Sequence, residues 1–305
     1  MPRARSWKRL ATEQVNPRSA RLDRLGIARV VGLMQAEDGR VLTALRGART
    51  AIVAAAEAFA DTFRSGGTCY LFGAGTSGRL AVIEAAELPP TFGTDPRRVR
   101  AVIAGGRGAV FRAREGAEDR YEEGSRSANR CRRGDLAIGV SASSVTPFVR
   151  GALERARRLG AKTVLVTASR SPGIGKVADV VVRLDTGPEV VAGSTRLKAG
   201  TATKLALNQI TTSAFASSGK VFGPWMVDLR TGSAKLKDRA VRIVAAAIES
   251  TPAKARKVLS RAGGEVKTAI VMGRTGETAA KARERLEKAG GDLRKALAVG
   301  RRVRG

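Results

Sequence analysis

The sequence predicts an α/β protein with a doubly wound parallel sheet, N-terminal helices and a small C-terminal helical domain. Its apolar runs, such as residues 136–140 and 163–166, are continuous rather than alternating, which is typical of strands buried on both faces of a parallel sheet. Helical patterns separate these runs, as in repeated βαβ units. After Lys235 strand patterns become scarce and short helical segments dominate, so the tail is predicted to be helical.

The elements follow from these patterns in chain order. Residues 1–20 are polar and basic, and we expect an arm that becomes ordered only by packing on something else. Two helices are predicted at 28–34 and 42–63, the second ending at Ser65-Gly66-Gly67. The elements then alternate as strand 69–72, helix 78–87, strand 99–104, helix 109–123, strand 135–140, helix 147–159, strand 162–167, strand 179–184 and helix 198–217.

Composition restricts the location and the chemistry. No apolar N-terminal segment follows Met1, and no uninterrupted apolar stretch is long enough for a membrane span, so we expect a cytoplasmic protein without membrane contact. The two cysteines, Cys69 and Cys131, stand 62 positions apart, a spacing that indicates reduced structural thiols rather than a metal site or a disulfide framework. We therefore expect no metal.

Histidine is absent from the chain. Catalysis must then use carboxylates, lysine or backbone groups, because the commonest general base is missing. The net charge of +29 suggests affinity for polyanions. However, the basic residues are spread along the whole length, and two Trp and two Tyr offer little base stacking. We expect nucleic acid to bind nonspecifically if at all.

A glycine-rich loop at residues 73–79 lies between the strand at 69–72 and a helical run. A strand that ends in such a loop directs backbone N–H groups and a helix dipole at one point, which favours an anion. Gly75, Thr76 and Ser77 are the candidate phosphate-binding residues, although such a loop is often only a tight turn. The polar segment at 141–146 follows another strand, and ligands gather at the carboxyl ends of parallel strands.

Two glutamates are candidates for acid and base catalysis. Glu87 precedes Leu88-Pro89-Pro90, and Glu118 lies in a charged segment predicted to be helical. Two carboxylates in different environments can act as the acid and the base of one site. The alternative interpretations are a solvated helix-end residue for Glu87 and a surface ion-pair partner for Glu118.

Many motifs in one order resemble the N-acetylmuramic acid 6-phosphate etherases, a family of the sugar isomerase (SIS) superfamily. The similarity runs from about Thr12 to about Gly291. The matching residues are Thr12-Glu13, Asn16-Pro17, Leu22-Asp23, Glu37-Asp38, Gly73 to Arg79, Glu87, Pro89 to Gly93, Ile103 to Gly106, Glu115 to Asp119, Gly193-Ser194, Arg196, Lys198 to Thr201 and Ser218 to Gly223.

The resemblance implies an SIS-type, flavodoxin-like three-layer fold and a homodimer whose site lies near the interface. It implies cofactor-free cleavage of the D-lactyl ether of a phosphorylated amino sugar, in the recycling of cell-wall sugars. Glu87 matches the acid that protonates the departing lactate, and Glu118 matches the base at C2. The family's phosphate loop falls on Ser141, Ser143, Ser144 and Thr146. The implied sugar-phosphate domain is 21–232, between an arm at 1–20 and a helical domain at 233–305.

One departure concerns the phosphate loop. Where the family usually has Ser-Gly-Arg-Thr-Pro, this chain has Ser143-Ser144-Val145-Thr146-Pro147, so a glycine and an arginine are replaced. A phosphosugar sensor without catalysis and a phosphosugar isomerase therefore remain alternatives, although a sensor has no need of two glutamates. Glu87 lies roughly 13 Å along its helix from Gly78, and we expect the site to take carboxylates from both subunits of a dimer.

Overall fold

The computed structural model describes residues 10–170, 173–229 and 233–298. The first nine residues of the predicted arm lie outside this part of the chain. The rest of the arm forms short 3-10 turns, which continue after it: Ala11–Glu13, Pro17–Ser19 and Leu22–Arg24.

Two long helices follow, α1 (Ile27–Gly47) and α2 (Arg49–Arg64). The predicted interruption between residues 34 and 42 is wrong, because α1 continues through it and the break falls at Ala48. The two glycines inside α1 cost about 1 kcal/mol each relative to alanine, and burial of an apolar face outweighs this cost. That face is formed by Val41, Ala44 and Leu45.

The central sheet is wholly parallel and has the order β2-β1-β3-β4-β5. This order and the flanking helices confirm the predicted doubly wound α/β fold. The three central strands of this order are buried along almost their whole length, which explains their apolar sequences, whereas the two edge strands are only partly buried. Their bounds are β1 (Cys69–Gly73), β2 (Val99–Ile103), β3 (Leu136–Val140), β4 (Lys162–Thr167) and β5 (Val180–Arg183).

The helix Pro147–Arg158 packs on the sheet through a buried apolar cluster that includes Phe72, Phe148 and Leu165. A predicted helix at 109–123 is wrong over most of its length: a 3-10 turn at Arg107–Val110 is followed by a loop, and a helix begins only at Tyr121. The helices of this α/β part are α3 (Gly75–Phe92), α4 (Tyr121–Ser127), α5 (Pro147–Arg158) and α6 (Lys198–Ser217).

The chain divides into two compact units. The first contains the sheet and comprises the described residues up to Ala86 and from Pro96 to Thr211. The second comprises 87–95 and the described residues from Thr212 onward. Whether 20 and 232 are the borders of folding domains stays a prediction.

The second unit is mainly helical, as the tail sequence predicted. It contains a short antiparallel pair of strands, β6 (Val221–Phe222) and β7 (Trp225–Met226), and the last residues of α3 and α6. Five further helices lie wholly within its described residues. These are α7 (Ala234–Ala247), α8 (Pro252–Arg261), α9 (Val266–Thr275), α10 (Ala279–Lys288) and α11 (Leu293–Ala298).

Both cysteines are free and buried. Burial raises the pKa of the Cys131 thiol to about 12 and also raises the pKa of Cys69, which keeps both thiols protonated and unreactive. Among the described helices, none combines the length and apolar character needed to cross a membrane.

Candidate active site

The turn from β1 into α3 requires glycine. A Cβ on Gly73 would lie 2.7 Å from the backbone N of Gly78, and one on Gly78 would lie 2.5 Å from Ile103 Cγ1. Gly75 begins the helix with a φ of +52°, in the left-handed region that glycine tolerates best. The N–H groups of the first turn, on Gly75, Thr76 and Ser77, have no partner in an ideal helix. They are suited to an anion.

A second helix start lies on the neighbouring strand. α5 begins at Pro147 with Thr146 before it, after the loop that leaves β3. The Oγ atoms of Ser141 and Thr146 are 2.8 Å apart, which fixes the Thr146 side chain. In the strand order β2-β1-β3-β4-β5, the direction in which successive strands are added reverses between β1 and β3. Doubly wound folds bind ligands at this point, and both helix starts lie there.

A cavity of about 300 Å³ opens at this edge of the first unit, within the usual size range for small-molecule sites. It is lined by Glu13, Ala74, Gly75, Thr76, Ser77, Arg79, Ala104, Ala109, Ala113, Arg114, Glu115, Ala117, Glu118, Ala142, Ser143, Thr146, Gly193 and Thr195. Two arginines and three glutamates stand among them, so the cavity offers both anion-binding and proton-transferring groups.

Five of the seven predicted phosphate-binding residues line this cavity, and Ser141 and Ser144 do not. Ser141 is buried and acts through its contact with Thr146. Ser144 is completely buried, with a φ of +61°, and its Oγ has no hydrogen-bond partner among the described residues. Its backbone oxygen accepts a hydrogen bond from the N–H of Ile174 at 2.9 Å, so this residue shapes the loop.

Glu118 lines the cavity from a loop rather than from the predicted helix. Gly116, with a φ of +70°, interrupts the segment. The carbonyl oxygen of Glu118 accepts a hydrogen bond from the Phe148 N–H at 2.9 Å instead of a helical one. The loop is thus attached to the first turn of α5, and the carboxylate of Glu118 is exposed to the cavity.

The helix α4 that follows this loop packs closely on α5. A Cβ on Gly124 would lie 1.9 Å from the carbonyl oxygen of Phe148, and one on Gly151 would lie 2.3 Å from that of Tyr121. Two glycines therefore let the helix backbones touch. This packing holds the Glu118 loop against the start of α5.

Glu87 is exposed on α3 and belongs to the second unit. It is absent from the residues that line the cavity described above. The predicted end of this helix at residue 87 is wrong, because α3 continues through Pro89 and Pro90 and ends at Phe92. Glu87 is therefore an internal helix residue, and its carbonyl oxygen accepts a 2.8 Å hydrogen bond from the Thr91 hydroxyl.

Several lining residues were not selected as site residues from the sequence: Glu13, Arg79, Arg114, Glu115 and Thr195. Arg79 donates through Nε to the carbonyl oxygen of Val110 at 2.9 Å, which ties α3 to the turn after β2. Glu13 and Arg79 stand within the motifs that carry the family resemblance. Their position in these motifs was the available sequence signal, but the motifs did not indicate what either side chain does.

A buried polar network secures the wall that contains Glu13. Glu37 of α1 is completely buried and accepts hydrogen bonds from Lys198 Nζ at 2.5 Å and Asn16 Nδ2 at 2.8 Å. Lys198 Nζ and Asn16 Nδ2 also donate to the carbonyl oxygen of Pro188. Burial would raise the pKa of Glu37, but these partners outweigh it and hold the pKa below its usual range.

Glu189 extends this network to the start of α6. Its carboxylate accepts hydrogen bonds from the backbone N–H groups of Lys198 at 3.1 Å and Ala199 at 2.9 Å. Burial raises the pKa of Glu189, while these N–H groups oppose the increase. The N-terminal segment, α1 and α6 are thus joined through one set of buried charges, adjacent in sequence to Gly193 and Thr195 of the cavity.

The described residues contain no group of three or more His, Cys, Asp or Glu side chains that could hold a metal ion. The groups that line the cavity are carboxylates, guanidinium groups, hydroxyls and backbone N–H groups.

Comparison with known proteins finds one matching family model and several similar proteins. Residues 43–157 match the family model of the glucokinase regulatory protein N-terminal SIS domain. An N-acetylmuramic acid 6-phosphate etherase of Gloeobacter violaceus is 47% identical over 86% of this chain and 87% of its own length. One of Rubrobacter xylanophilus is 46% identical over 86% of this chain and 88% of its own.

Among solved structures, a phosphoheptose isomerase from Francisella tularensis shares the fold with a TM-score of 0.50 at 16% identity. It covers 62% of this chain and 98% of its own.

Proposed function

The chain belongs to the N-acetylmuramic acid 6-phosphate etherase family, and from this membership we infer its function. It is a carbon–oxygen lyase that cleaves the D-lactyl ether of N-acetylmuramic acid 6-phosphate, giving N-acetylglucosamine 6-phosphate and D-lactate. The observation that carries this conclusion is the identity of 43–47% with etherases over almost nine tenths of the chain. The reaction belongs to the recycling of cell-wall amino sugars.

The phosphate group binds, in this proposal, between the starts of α3 and α5. The N–H groups of Gly75, Thr76 and Ser77 and the hydroxyls of Ser143 and Thr146 face one cavity, and the positive ends of two helix dipoles favour an anion there. Because Val145 stands where the family has arginine, another cation must supply that charge. Arg79 and Arg114 line the same cavity and can do so.

Elimination followed by hydration accounts for the products. In the open-chain sugar the C2 proton is adjacent to the aldehyde, so a carboxylate can remove it while the C3–O bond breaks and lactate leaves. Water then adds at C3 of the resulting enal. Glu118 is our base at C2, because its carboxylate lines the cavity that also holds the phosphate donors. The reaction needs only proton transfers, each typically worth about 100- to 10,000-fold in rate.

Glu87 is our acid for the departing lactate, a role carried over from the family motif. We further propose a cytoplasmic homodimer whose sites take Glu87 and Glu118 from different subunits. The exposed side chains of Ile27, Val31 and Leu42 on α1 support self-association, since large apolar side chains exposed together often mark an interface.

The test is D-lactate release by the purified full-length chain from N-acetylmuramic acid 6-phosphate, with and without EDTA. We expect release in both, and Glu87→Gln should fold normally but lose most turnover, because an amide cannot donate a carboxyl proton. Glu57→Gln, on the exposed face of α2, is the charge-matched control and should behave as wild type. Sugar-phosphate binding without lactate would favour a sensor, and activity lost to EDTA and restored by metal would contradict this mechanism.

A further inference from the structure

Glu13 is an acidic residue that lines the cavity but takes no part in the proposed reaction. It ends the short turn Ala11–Glu13 and lines the same cavity as Thr76, Ser143 and Glu118. Its carboxylate lies beside Gly193, which lines the same cavity and where a Cβ would lie 3.1 Å from Glu13 Oε2. A side chain at Gly193 would therefore crowd this carboxylate.

The backbone around Glu13 is fixed from both directions. The carbonyl oxygen of Thr12 accepts a hydrogen bond from the Gly193 N–H at 3.0 Å. Three residues after Glu13, Asn16 is buried in the network with Glu37 and Lys198. A segment held in this way positions its side chain in the cavity wall rather than leaving it as a loose surface group.

The carboxylate of Glu13 is poorly satisfied by the protein. In the described part of the chain it forms no ion pair, and its hydrogen bond from the Thr12 hydroxyl is long, at 3.4 Å. Glu13 is exposed, so its carboxylate can be solvated by water instead of by protein donors. A carboxylate on the wall of a ligand cavity that is not held by protein donors is available for a donor on the ligand.

The negative charge of Glu13 determines which part of the ligand it can bind. A carboxylate only accepts hydrogen bonds and repels a phosphate, whereas the starts of α3 and α5 attract it. We propose that Glu13 is a specificity-determining residue that accepts a hydrogen bond from a hydroxyl or the acetamido N–H of the amino sugar, at the end of the ligand away from the phosphate. This inference rests on the proposed function for the class of ligand.

The experiment compares Glu13→Gln and Glu13→Ala with the control Glu57→Gln. Calorimetry measures binding of N-acetylglucosamine 6-phosphate and of inorganic phosphate, and a lactate assay gives kcat and KM. We expect Glu13→Ala to bind the sugar phosphate at least about tenfold more weakly, as for loss of a hydrogen bond to a charged group. Inorganic phosphate should bind equally or slightly better, because a negative charge has been removed. Glu13→Asp should recover part of the sugar affinity.

Equal sugar-phosphate affinity and KM in wild type and Glu13→Ala would overturn the proposal, and so would a parallel loss of phosphate affinity. If Glu13→Ala fails to fold, Glu13→Gln decides the question: its amide oxygen still accepts but has lost the charge, so the ratio of sugar-phosphate to inorganic-phosphate affinity should fall less than for Glu13→Ala, and an unchanged ratio would overturn the proposal. A wild-type chain that binds the sugar phosphate but releases no lactate would defeat the etherase activity alone, since the Glu13 binding ratio is measured independently of turnover.

Discussion

Ser144 shows what a single departure from the family pattern costs. A non-glycine residue in the left-handed region is disfavoured by roughly 1–2 kcal/mol, and a buried hydroxyl without a partner adds a desolvation cost. Both apply to Ser144, whose φ is +61° and whose Oγ is unpaired. The loop keeps its shape because the surrounding contacts impose it.

We predict that Ser144→Gly raises the free energy of unfolding by about 1–2 kcal/mol, since glycine relieves both costs and loses part of the gain through its own chain entropy. Urea denaturation measures the change. Ser144→Ala is the matched variant: it removes the hydroxyl but keeps the strained backbone, so its gain should be smaller. Destabilisation by the glycine variant would show that the hydroxyl is useful.

At the scale of elements, the close contact between α4 and α5 connects stability with the site. We predict that Gly124→Ala lowers the free energy of unfolding by about 2 kcal/mol, because the new Cβ would lie 1.9 Å from the Phe148 carbonyl oxygen. It should also lower kcat, since Phe148 holds the loop of Glu118. The control is Gly32→Ala in α1, where nothing lies within 4 Å and about 0.5–1 kcal/mol should be gained. Unchanged kcat in a destabilised Gly124→Ala protein would separate the packing from catalysis.

The sequence was sufficient to predict the elements that are determined by their own residues. Buried strands such as β3 and β4 are continuous apolar runs, and their bounds were predicted to within one residue. The segment at 109–123 has charges at helical spacing, but the carbonyl oxygen of Glu118 accepts its hydrogen bond from Phe148 of α5, a distant contact that no local pattern reveals. The same limit applies to the site: the loop after β1 was recognisable, whereas Glu13 depends on Lys198 and Glu37, 161 residues apart.

For the whole molecule, the decisive question is whether one chain or two complete a site. Glu118→Gln should lose activity as Glu87→Gln does, and we predict that mixing the two inactive variants by refolding them together restores about a quarter of wild-type activity. About half of the dimers are then mixed, and one of the two sites in each is intact. Lactate release measures the recovery. Two inactive proteins that stay inactive when mixed would place both carboxylates in one chain.

The network around Glu37 also dictates an order of assembly during synthesis. Chains emerge from the ribosome N-terminus first. The carbonyl group that Asn16 bonds to is 172 residues further along the chain, and Lys198, the partner of Glu37, is 161 residues after it. While β1 to β5 are being translated, the segment that carries Glu13 has no place to dock. The first described stretch to be translated is therefore among the last to reach its final position, and a nascent chain holds the strand-end loops before it holds a closed cavity.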